Sequence, residues 1–138
     1  MKRRVLFLCA GNSARSQMAE GLANHLRGDH WQAFSAGTHP TDAVHPYAVE
    51  ALREIGVDIS VARSKSLEEF RDAAFDLVVS VCDDAAEECP VWLGQGRRGH
   101  IGFPDPAKGS PADFRAVRDE IPRAIIPLLD SFRNAPNT

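Results

Sequence analysis

Val5-Leu6-Phe7-Leu8-Cys9-Ala10-Gly11-Asn12-Ser13-Ala14-Arg15-Ser16 is the stretch on which the fold turns. Its first four residues form a short unbroken apolar run, the pattern of a strand buried on both faces of a parallel sheet. Beyond the glycine-bearing turn, Met18, Ala19, Leu22, Ala23 and Leu26 recur at helical spacing as far as Gly28. That spacing predicts an amphipathic helix beginning near Ser16. The chain therefore opens as strand, loop and helix.

Outward from there the alternation continues. Trp31 to Ala36 suits a second strand, Gly37-Thr38-His39-Pro40 a turn, and Pro46 to about Gly56 a helix with proline in its first turn. Phe75 to Val81 is another buried apolar run, with Cys82 at its carboxyl end. Asp83, Asp84, Glu87 and Glu88 predict a short helix that Pro90 stops, because carboxylates favour a helix start. Residues 94–99 are a Gly/Arg-rich loop, and His100 to Phe103 is expected as the last short strand before Pro104-Asp105-Pro106. A final helix is expected from Pro111 to Phe132, kinked or interrupted where Pro122 and Pro127 remove backbone donors. Such alternation implies an α/β fold in one domain, residues 1–138: a four-stranded parallel sheet flanked by helices and joined by right-handed crossovers. Ligands in these sheets bind at the carboxyl ends of the strands, where Cys9, Cys82 and Asp105 all fall.

Composition narrows the partners. The 138 residues are 43% hydrophobic and 25% charged with a formal net charge of -3, so no broad basic surface exists for nucleic acid. The apolar run after Lys2-Arg3-Arg4 is far shorter than a signal-peptide core of roughly 7 to 15 residues. No stretch approaches the 18 or more apolar residues of a membrane span. The expectation is a cytoplasmic monomer with no membrane partner, where three cysteines stay reduced and are reactive or merely buried.

Cys9 and Arg15 enclose five residues between a buried strand and a helix start. Backbone N–H groups of Ala10, Gly11, Asn12, Ser13 and Ala14 can converge on a tetrahedral oxyanion there, and the planar Arg15 guanidinium can hold two of its oxygens. The same positive field is expected to pull the Cys9 thiol below its usual value of about 8.5, with the Ser16 hydroxyl donating to the sulfur. Cys9 is then the nucleophile and the most acidic thiol, since the acids around Cys82 and Cys89 disfavour thiolates there.

This loop resembles the active-site loop of the low-molecular-weight protein tyrosine phosphatases and of their relatives, the thioredoxin-coupled arsenate reductases. The likeness spans nearly the whole chain and includes Asp105-Pro106, which implies that Asp105 is a general acid facing the loop. Ser80-Val81-Cys82-Asp83-Asp84-Ala85-Ala86-Glu87-Glu88-Cys89-Pro90 resembles the redox segment of the reductases. The resemblance implies that Cys9 attacks arsenate, Cys82 attacks Cys9, and Cys89 takes over the disulfide for an external thiol such as thioredoxin. It implies a role in arsenic detoxification. Many relatives carry cysteine where this chain has Ala14, so the relay must pass through Cys82. An intact helix would hold residues 82 and 89 about 10.5 Å apart along its axis, whereas a disulfide needs Cα atoms roughly 4.4 to 6.8 Å apart. The segment is therefore expected to unwind on oxidation.

Some relatives bind potassium through residues matching Asn12, Glu20 and Ser35 with an aspartate, where this chain has Arg63-Ser64-Lys65-Ser66. A lysine there can replace the cation, which leaves potassium dependence open, and no other metal is implied. Two other readings stay open on sequence alone: a phosphatase using a Cys9 phosphocysteine, and a non-catalytic oxyanion-binding or sensing module.

Overall fold

A computed structural model describes residues 2–82 and 97–133. Four strands form one parallel sheet: β1 (Arg3–Cys9), β2 (Trp31–Gly37), β3 (Leu77–Ser80) and β4 (Arg97–His100), in the order β2-β1-β3-β4. The helices are α1 (Arg15–Arg27), α2 (Pro46–Arg53) and α3 (Pro111–Arg133), with a short 3-10 turn at Leu67–Phe70. The first strand is central, and Val5, Leu6, Phe7 and Leu8 are all fully buried, as a strand covered on both faces must be. Trp31, at the start of β2, meets Phe132 of α3 edge-on at 5.4 Å, closing the core beneath the sheet.

Two expectations are corrected. The last strand is Arg97–His100 rather than His100–Phe103. It is a polar edge strand, three of its four residues exposed, so no apolar pattern marks it. Backbone pairing of Leu77 with Arg97 through Ser80 with His100 makes it a strand, and arginines on an exposed edge discourage pairing with other chains. The final helix, expected to be kinked or interrupted, is not interrupted: it runs through both prolines. Phe114, Val117, Ile121, Ile125, Leu129 and Phe132 form one buried stripe, whereas Pro122 is half-buried and Pro127 exposed. Each lost N–H thus lies away from the buried stripe, where water can satisfy the freed carbonyl, and packing of the stripe carries the helix through.

Strand β3 is shorter than Phe75 to Val81, although Phe75 and Val81 are themselves buried. The helix expected after Cys82, the acids Asp83, Asp84, Glu87 and Glu88, and Cys89 with its unwinding switch lie outside the described residues. Among the described residues, no helix is long and apolar enough to cross a membrane.

Candidate active site

Helix α1 begins at Arg15 with no side-chain capping bond and no acidic residue in its first turn. Its first amides, which have no partners within the helix, are therefore left to an external anion. The loop before it is held from behind. Every carbonyl from Cys9 to Ala14 accepts a hydrogen bond from outside the turn: Cys9 from Thr38 N (3.2 Å), Ala10 from His39 N (2.8 Å), Gly11 from Thr41 N (2.9 Å) and Ser64 Oγ (2.9 Å). Asn12 O accepts from Gln17 Nε2 (3.2 Å), Ser13 from His45 N (2.8 Å) and Ala14 from Met18 N (2.9 Å). With their carbonyls engaged outward, the peptide units from Gly11 onward aim N–H groups into the concave side of the turn, the arrangement that cradles an oxyanion, whereas the Ala10 N–H, expected among them, donates to the Cys82 sulfur.

Tertiary neighbours make this possible. A Cβ built on Gly37 would lie 2.6 Å from Ala10 O and 3.0 Å from Asn12 Cβ, so only glycine lets the end of β2 approach the loop. Asn12 takes the left-handed conformation with φ 49°, the only non-glycine among the described residues with positive φ. Its amide donates to Ser16 Oγ (2.8 Å), and its Oδ1 accepts from Gln17 Nε2 (2.9 Å) and Lys65 N (2.9 Å). Ser16 Oγ thus accepts from Asn12, and its hydroxyl proton is not used by that bond.

Arg15, with 14% of its side chain exposed, donates to Phe103 O at 3.1 Å and faces Asp105 at 3.6 Å. The Asp105 side chain is 58% exposed, and its other oxygen accepts from Ala107 N at 3.0 Å. An acid and a guanidinium therefore meet at the mouth of the loop. Cys9 and Cys82 are unoxidised thiols, each 3% exposed. The Cys82 sulfur accepts from Ala10 N at 3.2 Å, on the flank of the nucleophile.

The neighbouring Cys82 thiol works against the expected acidity of Cys9. The Cys9 thiol is pushed far above the ordinary range, first by the hydrogen bond with Cys82, then by burial and by the charge Cys82 carries as a thiolate. Arg15 and the Gly11 amide act in the opposite sense without prevailing. Two buried sulfurs in contact cannot both ionise cheaply, so the pair holds one negative charge and loses the second proton reluctantly.

The residues considered for potassium also come together. Lys65 Nζ reaches Ser35 Oγ at 3.3 Å, Arg63 O at 3.4 Å and Glu20 Oε1 at 3.8 Å. Burial raises the Glu20 carboxyl and lowers the Lys65 ammonium, while their mutual attraction opposes both shifts. Among the described residues, no group of three or more His, Cys, Asp or Glu side chains could hold a metal ion. Sequence reasoning missed Gln17 and the role of Gly37. The one looked like an ordinary helix residue and the other like turn punctuation, because their partners lie far along the chain.

The sequence model of the low molecular weight phosphotyrosine protein phosphatases matches residues 4–136. The chain belongs to that family. Within it, the chain is 42% identical over 130 residues to arsenate reductase 2 of Staphylococcus saprophyticus, covering 94% of this chain and 98% of that protein. It is 45% identical to the arsenate reductase of Halalkalibacterium halodurans, covering 90% and 93%. A solved structure described as an arsenate reductase in the phosphate binding state superposes with a TM-score of 0.85 at 33% identity, over 94% of this chain and 98% of that one. These low molecular weight phosphatase relatives carry the same α/β architecture, so the four-stranded parallel sheet is the family's fold.

Proposed function

We propose that this protein reduces arsenate to arsenite through a Cys9–Cys82–Cys89 relay that an external dithiol regenerates. The observation that carries the reading is the Cys82 sulfur against Ala10 N, because a second thiol beside the nucleophile serves a redox step and a phosphatase has no use for it. The oxyanion enters between the loop amides and Arg15, where its negative charge meets N–H groups and the guanidinium. The thiol pair holds its last proton tightly, and the incoming arsenate, a base in its dianionic form, accepts it where Cys9 carries it. The Cys9 thiolate then attacks arsenic, and one hydroxyl departs as water with a proton from Asp105.

Cys82 attacks the Cys9 sulfur next. The sulfur–arsenic bond breaks with its electron pair on arsenic, so arsenate leaves as arsenite and a Cys9–Cys82 disulfide forms. Cys89 attacks Cys82, freeing the Cys9 thiolate and leaving a Cys82–Cys89 disulfide. Thioredoxin, whose dithiol matches this chemistry, is the reductant we assign, and a reducing compartment such as the cytoplasm suits the two unoxidised thiols. Lys65 supplies the positive charge beside Glu20 and Ser35, so potassium has no required role.

A single test separates the readings. Reduced protein mixed with arsenate and no reductant should release one arsenite and lose two thiols, and thioredoxin with NADPH and its reductase should restore turnover. Cys82→Ser and Cys89→Ser should each abolish that turnover. Steady phosphate release from an aryl phosphate, with arsenate untouched, would overturn the proposal in favour of a phosphatase.

A further inference from the structure

We infer that Gln17 is a positioning residue for the oxyanion loop: its buried side-chain amide fixes the left-handed turn at Asn12, and through it the direction of the loop N–H groups. Gln17 is fully buried on the first turn of α1. Its Nε2 faces Asn12 Oδ1 at 2.9 Å, Asn12 O at 3.2 Å and Arg63 O at 2.8 Å. With only two protons for three acceptors, the amide is committed as a donor. Turning it over would set Oε1 against three oxygens.

The cost of that commitment is visible. Among the described residues, buried Gln17 Oε1 has no hydrogen-bond partner, an arrangement that protein interiors mostly avoid. A methionine of similar length would fill the same space with no orphan. A residue that keeps an unpaired buried oxygen in order to aim its amide is poor for stability and useful for geometry, as residues at functional sites often are.

The three acceptors show where the geometry matters. Asn12 Oδ1 also receives Lys65 N at 2.9 Å, and Arg63 O also receives Lys65 Nζ at 3.4 Å. Among the described residues, Gln17 is the only donor to Asn12 O. Without Gln17 the Asn12–Ser13 peptide loses the bond that turns its carbonyl away from the cradle. That peptide can then rotate, and the N–H of Ser13 no longer faces the oxyanion. The left-handed Asn12 adds a second displacement, because a non-glycine residue relaxes to negative φ when its restraints are removed, and that turns the Gly11–Asn12 peptide and its N–H as well.

This inference rests on the loop being the oxyanion site, and the test keeps the two apart. Inorganic phosphate serves as the probe by calorimetry, with arsenate turnover measured alongside on the full chain. Gln17→Met should weaken phosphate binding and raise the arsenate KM about tenfold, equivalent to about 1.4 kcal/mol. Its thermal midpoint should stay within about 4 °C of the parent, because the Oε1 orphan that is removed offsets the Asn12 O orphan that is created, and Asn12 Oδ1 and Arg63 O keep their Lys65 donors. Gln17→Glu supplies a second readout. Its ionised carboxylate repels Asn12 O, whereas the protonated acid donates one hydrogen bond, so its phosphate affinity relative to the parent should recover as pH falls from 8 to about 5.5. Unchanged phosphate affinity in Gln17→Met overturns the proposal. So does a loss of affinity matched by a large fall in thermal midpoint, with no pH recovery in Gln17→Glu. If the parent itself binds neither phosphate nor arsenate, it is the oxyanion reading that fails.

Discussion

Replacing Cys82 with alanine should make Cys9 a far more acidic thiol. The largest influence raising Cys9 is its hydrogen bond with Cys82, and the charge of Cys82 raises it again, whereas Arg15 and the Gly11 amide lower it. The substitution removes both contributions from Cys82 and leaves burial to oppose Arg15 and Gly11. Two unit charges about 4 Å apart at an effective dielectric constant near 20 repel by about 4 kcal/mol. Removing that repulsion together with the hydrogen bond should move the Cys9 titration downward. The assay is the rate of iodoacetamide alkylation at Cys9 against pH, read by peptide mass in Cys89→Ser and in Cys82→Ala/Cys89→Ser. At pH 7 the double variant should alkylate Cys9 at least tenfold faster. Stability follows the same linkage: a thiol held above its unfolded value of 9.0 contributes stability below that pH, and the contribution is lost as pH rises beyond it. The parent should therefore weaken more steeply than Cys82→Ala in alkaline solution. Alkylation midpoints that agree within half a unit would refute the reasoning, because Cys82 would then not be what holds the Cys9 proton.

Gly37→Ala drives a methyl group against Ala10 O, so it should cost about 1 to 3 kcal/mol in a urea melt and weaken phosphate binding; an unchanged affinity would show that the loop tolerates the shift. Lys65→Met leaves Glu20 buried without its cation. Since those side chains are only 12% and 17% exposed, about 3 kcal/mol of stability should be lost, and potassium should restore part of it in the variant while leaving the parent unaffected. A loss below about 1 kcal/mol would mean that Glu20 is solvated or protonated when the lysine is gone.

Local pattern carried much of the fold because its signals are local. The buried run Val5–Leu8, the helical spacing from Met18 to Leu26 and the paired Trp31–Ala36 segment all stand where periodicity puts them. The Arg97–His100 strand was invisible because its pairing energy lies in backbone bonds to Leu77–Ser80, which no side-chain pattern records. The unbroken α3 was misjudged because proline's cost depends on which side of the helix faces water, and that is set by the sheet beneath it.

For the site, the sequence by itself determined the chemistry available: a cysteine at a strand end, an arginine at a helix start, an aspartate between prolines and two further thiols. Covalent identity and spacing suffice for that. Only the tertiary structure decided how those groups behave. It set Cys82 against Ala10 N and so raised the thiol that sequence reasoning expected to be acidic. It also turned Asn12 left-handed under Gln17 and brought the Lys65 ammonium between Glu20 and Ser35. Titration and backbone strain depend on neighbours within a few ångströms, and here those neighbours come from segments up to 72 residues away.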